Sequence, residues 1–445
     1  MNRRLFIKKM GLLLGTVPAG AAGDAAFAAG ATGQPTDDAA QAVVPPPVPR
    51  RNETLDNAGR YWRLIAEQFR FPEGYAYLNT GGLGASPYRV TNRVIAMMNR
   101  EDTFPNAGHD LKDWSRIKTK CAALLGRACK QEEIAFTSTA TEGINIVING
   151  LPLQAGDEVI TSTHEHVALT IPLLNRMQRD GIQIKTFRPD IQDGLANVRR
   201  IEEQITGRTK LIFISHATCT TGQVFPVREI GELARSRGLW YGLDGVQAVA
   251  QMPVDVSATG ADFYAISGHK WVMGPKRTGV LFVRESLLET LRPTVVGAYS
   301  DAANDLEKRE LTLQPTAQRY EYATQNDALF YGLEEAMDFV QTIGVAAIQK
   351  HNRALAEEFY TRLGEPPGIE ILSPAEQQYR SAMITFRVAG RKNGKICSEL
   401  TKRKFRVRSV GEAGLDGIRV SFHVYNDRNQ LERLVSEIEK VIKEV

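Results

Sequence analysis

The chain has 445 residues, 43% of them apolar and 24% charged, ordinary proportions for a soluble globular protein with one large α/β core or two domains that share one. Its formal charge of +4 sits mostly at the start: Arg3, Arg4, Lys8 and Lys9 against Asp24 give residues 1–28 a charge of +3 and leave +1 for the rest, which excludes an electrostatic footprint on nucleic acid. Four cysteines do not make a disulfide framework.

Residues 1–28 read as a signal peptide. Asn2-Arg3-Arg4-Leu5-Phe6-Ile7-Lys8-Lys9 has the twin-arginine pattern, a weakly apolar region follows, and Ala26-Phe27-Ala28 has the small-x-small form of a cleavage site. The expected partner during export is the twin-arginine translocase, and the expected location is the periplasm or another exported compartment. Stable membrane insertion is not expected, because no uninterrupted apolar run reaches the ~20 residues a spanning helix needs. Residues 29–54, with Pro-Pro-Pro-Val-Pro at 45–49, read as a disordered or polyproline-II linker.

Further along, the patterning predicts a helix over 55–69, a short strand over 75–79, a Gly-rich loop at Thr80–Gly84, and amphipathic helices over 90–100 and 114–128. From Glu132 strands and helices alternate, the sign of a mostly parallel sheet covered by helices. Strands are expected at 134–137, 158–161, 211–215, 240–243, 263–266 and 279–283, with helices at 141–150, 168–178, 196–205, 227–237 and 285–291. After residue 330 a long helix over 328–363 leads to strands at 383–388, 405–410 and 417–424 and helices at 392–403 and 428–444, the last capped by Asp427.

Four places carry candidate chemistry. Lys270, in Ser267-Gly-His269-Lys270-Trp271, ends a buried strand, where burial lowers an amine's pKa and prepares it to attack a carbonyl and move protons. Thr137-Ser138-Thr139-Ala140-Thr141-Glu142 joins a strand to a helix and offers an anion its N–H groups and hydroxyls; it also fits an ordinary N-cap. Asp244, in Leu243-Asp244-Gly245-Val246-Gln247, is an acid at a buried strand end that needs a cationic partner or a capping role. His164 and His166 share a face, but no third ligand accompanies them, so no metal is expected; an imidazole stacked on an aromatic cofactor is the better use of His166.

Together these pieces resemble the class V aminotransferase family of fold-type I pyridoxal-phosphate (PLP) enzymes, which includes cysteine desulfurases and isopenicillin-N-epimerase-like proteins. The Thr-Ser-x-Ala-Thr-Glu turn, the Glu-His motif, Asp-Gly-x-Gln and Ser-Gly-His-Lys occur in family order, with Asp244 and Lys270 26 residues apart. The fold implied is α/β, a fold-type I PLP-dependent transferase. It comprises an N-terminal segment, 55–90, packing with the small domain, a large PLP-binding domain, 91–330, on a mostly parallel seven-stranded sheet, and a smaller α+β domain, 331–445. By the resemblance Lys270 forms the Schiff base with PLP and shuttles the proton, Asp244 pairs with the pyridinium nitrogen, Gln247 reaches the phenolic oxygen, and His166 stacks on the ring. Ala140 (through its N–H), Thr141, Ser267 and His269 would hold the phosphate.

Arg319-Tyr-Glu-Tyr-Ala-Thr324 matches the family motif whose threonine reaches the neighbouring subunit's phosphate, which implies a homodimer; Ala323 stands where glycine is usual. Ile418-Arg419-Val420-Ser421 and Tyr425-Asn426 resemble the family's carboxylate-binding signature. Arg419 would take the substrate carboxylate, with Arg408 a second candidate and Asn79 beside them at the mouth of the site. Two departures narrow the activity. Arg408–Gly414 lacks the catalytic cysteine of cysteine desulfurases, Cys397 falling in a predicted helix, and Cys219 stands where many relatives have asparagine. The expectation is an exported PLP enzyme acting at the α-carbon of a small amino-acid-like substrate, an aminotransferase first, with epimerisation or C–S β-elimination as alternatives and a non-catalytic ligand-binding protein as the competing class. A PLP enzyme behind a twin-arginine signal also resembles the periplasmic enzymes that tailor the peptide siderophore pyoverdine.

Overall fold

Runs such as Ile134-Ala-Phe-Thr137 and Phe263-Tyr-Ala-Ile-Ser267 are buried at every position, the mark of strands covered on both faces. The computed structural model describes residues 47–49, 59–105 and 110–444. The twin-arginine segment and all of the 29–54 linker but 47–49 lie outside the described residues; within that linker Val48 packs against the main core. Helix α1 (Arg60–Ala66), strand β1 (Ala76–Tyr77) and helices α2 (Tyr88–Thr103) and α3 (Leu111–Leu125) come first. Then follow β2 (Ile134–Thr137), α4 (Ala140–Gly150), β3 (Glu158–Ser162), α5 (Val167–Asp180), β4 (Gln183–Phe187), α6 (Ala196–Glu202) and β5 (Thr209–Ser215). The large sheet is completed by β6 (Trp240–Asp244), β7 (Phe263–Ser267) and β8 (Gly279–Val283), with helices α7 (Val227–Ser236) and α8 (Val256–Thr259) on either side of β6.

This seven-stranded sheet has the order β2-β8-β7-β6-β5-β3-β4. Only β8 runs against its neighbours, so β2, β3, β5, β6 and β7 all end at one edge. Ligands of open α/β sheets bind at that edge, and Ala140, His166, Asp244 and Lys270 all follow or close those strands.

Beyond the sheet come the exposed hairpin β9 (Asp301–Asp305) and β10 (Glu310–Leu313), then α9 (Asp327–Ile343) and α10 (Val345–Leu363). The single helix expected over 328–363 is broken at Gly344, whose φ of 87° leaves the helical region. A second, antiparallel sheet has the order β11 (Ile369–Ile371), β12 (Met383–Val388), β15 (Gly417–Ser421), β14 (Arg408–Val410). Helices α11 (Asn393–Lys402) and α12 (Arg428–Glu444) cover it, and the Asp427 carboxylate caps α12 through the Gln430 amide at 2.8 Å. The strand expected at 405–410 divides: β13 (Phe405–Arg406) pairs with β1, while β14 pairs with β15. With a bridge between Asn79 and Ser421, that pairing fastens Ala76–Asn79 to the small sheet and delivers the Thr80–Gly84 loop to the strand ends. Tyr61, Ile65 and Phe69 join the core that packs α2, α3 and α9 against the large sheet, while Phe69 also packs edge-on against Tyr425 and Trp62 stacks on His351 of α10.

The helix expected at 285–291 is only a 3₁₀ turn over Glu285–Leu287, with Pro293 close behind to oppose continuation. Strand β4 was not legible because Gln183-Ile-Lys-Thr-Phe187 is an edge strand with one partner and half-exposed side chains.

Candidate active site

Lys270 lies in the turn after β7, and its backbone is clamped. Gly84 N–H donates to the His269 carbonyl at 2.7 Å, and a Cβ on Gly84 would sit 2.1 Å from the Lys270 carbonyl oxygen. The side chain is buried, and burial lowers its pKa to about 8 while the Asp244 carboxylate pulls the other way. Among the described residues no hydrogen bond or ion pair engages the amine.

Asp244 closes β6. Its carboxylate accepts the Val246 N–H at 3.0 Å, and burial raises its pKa, with Lys270 the opposing cation. Behind it, His216 donates its backbone N–H to the Asp244 carbonyl at 2.8 Å, and its ring is bonded to the Tyr264 hydroxyl at 2.7 Å. Gln247 is engaged on both sides of its amide. Its amide nitrogen donates to the Gly81 carbonyl and its oxygen accepts the Trp271 indole N–H, each at 2.8 Å, so it ties the Gly-rich loop to the lysine turn and keeps one N–H to offer.

His166 caps α5: its Nδ1 accepts the Ala168 N–H at 3.1 Å. The ring is therefore neutral with its proton on Nε2, and burial, with Lys270 nearby, lowers its pKa to about 4. Beside it, buried Glu165 accepts from the Ser162 and Ser215 hydroxyls, and burial raises its pKa to about 7. His164 is buried elsewhere with neither ring nitrogen bonded, and no cluster of metal-ligating side chains occurs among the described residues.

At the start of α4 the Ala140 N–H meets the Ser267 hydroxyl at 3.1 Å. Thr141 is exposed and lines a cavity of about 360 Å³ with Ser138, Glu142 and Tyr322. The buried Nδ1 of His269 has no partner. Thr324 is exposed and follows Ala323, whose φ of 57° lies in the left-handed region. Two buried residues hold that loop: Arg319 binds the Leu288 and Gln314 carbonyls and Glu289, and Glu321 pairs with Lys118 at 2.8 Å.

From the small sheet comes Arg419, fully buried. It donates to the Cys219 carbonyl and, at 3.0 Å, to the Asn79 side-chain oxygen; its Nε has no partner. Burial lowers its pKa to about 10, Arg408 adding to the effect, and among the described residues no carboxylate forms an ion pair with it. Arg408 is instead paired with Glu412. Cys219 is buried and pushed up to about 11, which leaves a neutral thiol, and Cys397 is buried in α11.

The structure thus gathers Lys270, Asp244, His166, Arg419, Arg408 and Asn79, joins Ala140 to Ser267, and leaves Thr141 and Thr324 outward. Glu412 and Trp271 went unnoticed in the sequence. Glu412 lay in a segment read only for a missing cysteine, and the indole's partner is distant in sequence. Three features fit PLP: an unpartnered His269 nitrogen two residues after the Ser267 that meets the α4 start, for the phosphate, a buried Asp244 for the ring nitrogen, and an unengaged Lys270 amine for the carbonyl carbon.

A fold of this kind with a strand-end aspartate and lysine defines a fold-type I PLP enzyme. The aminotransferase class-V family model matches residues 106–434, and the chain belongs to that family, whose cofactor is PLP. It is 30% identical over 325 residues, 70% of this chain and 79% of the other, to a probable cysteine desulfurase of Methanothermobacter thermautotrophicus. A cysteine desulfurase of Serratia proteamaculans is 30% identical over 386 residues, 83% of this chain and 93% of the other. Among solved structures, the Escherichia coli cysteine desulfurase CsdA matches with a TM-score of 0.77 at 25% identity, over 86% of this chain and 98% of that one.

Proposed function

We propose that the chain is an exported aminotransferase that takes the amino group from the α-carbon of an amino acid or amino-acid-like substrate. One observation carries the reading: among the described residues of the site, the Lys270 amine is the basic group that no hydrogen bond engages. Lys270 is buried with its pKa lowered to about 8, so near neutral pH its amine both accepts and returns a proton. His166 cannot serve as a second base, because its Nδ1 is engaged by the Ala168 amide. A two-base epimerase would need such a partner. PLP supplies an electron sink for the charge left at the α-carbon. Asp244 holds positive charge at the ring nitrogen, His166 offers the ring a neutral face, and Arg419 orients the substrate carboxylate.

C–S β-elimination is the second reading, favoured by relatives named cysteine desulfurase. Transfer of sulfur to a protein thiol is not part of it, since residues 408–417 contain no cysteine and both Cys219 and Cys397 are buried. The test incubates the PLP-loaded enzyme with amino acids in heavy water, with and without a 2-oxo acid, and includes a peptide-borne amino group, given the resemblance to pyoverdine-tailoring enzymes. Amino transfer is the expected result; label uptake with racemisation, or release of a sulfur-bearing fragment without transfer, would replace the reading. Export by the twin-arginine route and a homodimer, with the exposed Thr324 as the residue offered to a neighbour, belong to the same proposal. They are checked by cell fractionation of an Arg3→Lys, Arg4→Lys variant and by light scattering.

A further inference from the structure

The small sheet loads the mouth of the site with unusual charge. The register of β14 and β15 sets Arg408 directly opposite Arg419, so both side chains leave the same face. Like charges in that arrangement repel. Both guanidiniums act on His166 and Cys219 together with Lys270, so both face the site that holds the lysine.

Their surroundings differ. Arg419 is bonded to neutral oxygens and keeps a buried N–H without a partner. Arg408 is already matched to the Glu412 carboxylate, and about a quarter of each of these two side chains remains exposed. Glu412 itself stands on a bent loop between Gly411 and Gly417, in which Ala413, Gly414 and Asp416 all have positive φ (53°, 69° and 43°). A non-glycine residue held left-handed costs roughly 1–2 kcal/mol, strain that a rearrangement of this loop would release. Glu412 can leave Arg408 for water without burying its charge.

We propose that the site takes dicarboxylates: one carboxylate binds Arg419, and a second, at the far end of the ligand, binds Arg408 in place of Glu412. The proposal rests on reading this site as one that acts on an amino acid, and it names the class, an acidic one. A dicarboxylate exchanges one anion for another on Arg408 and leaves the charge of the mouth balanced. A neutral tail would have to leave the Arg408–Glu412 pair intact and gain nothing from it, and a cationic tail would face two arginines.

The test uses glutarate and valerate, which match in length and lack an amino group, so neither reacts. Both are titrated calorimetrically into the PLP-loaded enzyme. Glutarate should bind about tenfold more tightly or better, as one added charge-assisted contact implies. Arg408→Gln should abolish that preference and leave valerate binding within about threefold. Glu412→Gln, which weakens the internal competitor, should tighten glutarate and leave valerate unchanged. Equal affinities in the unmodified enzyme, a preference that survives Arg408→Gln, or unchanged glutarate binding in Glu412→Gln would overturn the proposal, and the last stands even where the arginine variant fails to fold. Because the ligands are inert, absence of amino transfer would sink the proposed reaction and leave this result untouched.

Discussion

Lys270 and Arg408 face the same site, yet they are held by different kinds of structure. The lysine turn is pinned by backbone: Gly84 bonds to the His269 carbonyl, with no room for a Cβ against Lys270, and Gln247 ties Gly81 to Trp271. Arg408 opens β14, and the loop after that strand carries three residues with positive φ and is tied back to Arg408 by a side-chain ion pair. The rigid end presents an amine and a carboxylate to a cofactor that never changes. At the looser end a change of sequence can be taken up without disturbing the sheet.

Five substitutions and one pH titration sharpen that contrast. The largest effect belongs to Lys270→Ala, which removes the base of the proposed reaction and should lower kcat by about 10²–10⁴-fold, while the absorbance of bound PLP persists. Turnover at the unmodified rate would mean that the chemistry lies elsewhere. In the unmodified enzyme, borohydride should abolish the visible band and modify Lys270.

A pair of glycines compares the two ends directly. Gly84→Ala would place a methyl 2.1 Å from the Lys270 carbonyl, where only backbone can give way. It should cost about 1–3 kcal/mol in urea unfolding and reduce activity. Gly411, at the start of the Glu412 loop, has a φ of −99°, and a Cβ added there would meet nothing within 4 Å; Gly411→Ala should stay within about 0.5 kcal/mol. Equal costs would erase the distinction between a locked end and a loose one.

The pH dependence tests the lysine end alone. An amine attacks a carbonyl only when neutral, so PLP loading of the cofactor-free chain should speed up as pH rises and level off above about 8, the value to which burial lowers Lys270. The Asp244 carboxylate favours the charged amine and holds that pKa up, so Asp244→Asn should move the midpoint down. An upward shift, read by stopped-flow absorbance, would contradict the arrangement.

What was legible in the sequence follows the same division. Asp244, His166 and Lys270 sit at the ends of apolar runs, where strand periodicity and short motifs carry the information, and the parallel sheet around them was readable for that reason. The partners of Gln247, Gly81 and Trp271, are 166 and 24 residues away, and no local pattern encodes such pairings. Glu412 reaches Arg408 four residues back across a loop rather than along a helix, so helical spacing gave no signal. The break at Gly344 was missed because apolar periodicity continues on both sides of it: Phe339, Val340 and Ile343 are buried before the glycine and Ala347 and Ile348 after it.

The smallest predicted effect concerns Ala323, which stands where the motif this segment resembles has glycine. Its φ of 57° is a conformation glycine adopts freely and alanine resists by roughly 1–2 kcal/mol. The loop accepts that strain because its neighbours leave little choice: Glu321 is held by Lys118 and by the Phe136 N–H, Tyr322 by Glu142, and the Ala323 N–H by the Ala298 carbonyl at 3.0 Å. Glycine would relieve the strain but also enlarge the freedom of the unfolded chain, which offsets part of the gain. Ala323→Gly should therefore stabilise by less than the strain alone, about 0.5–1 kcal/mol by thermal unfolding, with kcat unchanged. A loss of stability would mean that the loop is held loosely, as the Glu412 loop is, and that the anchored region of the molecule ends before Thr324.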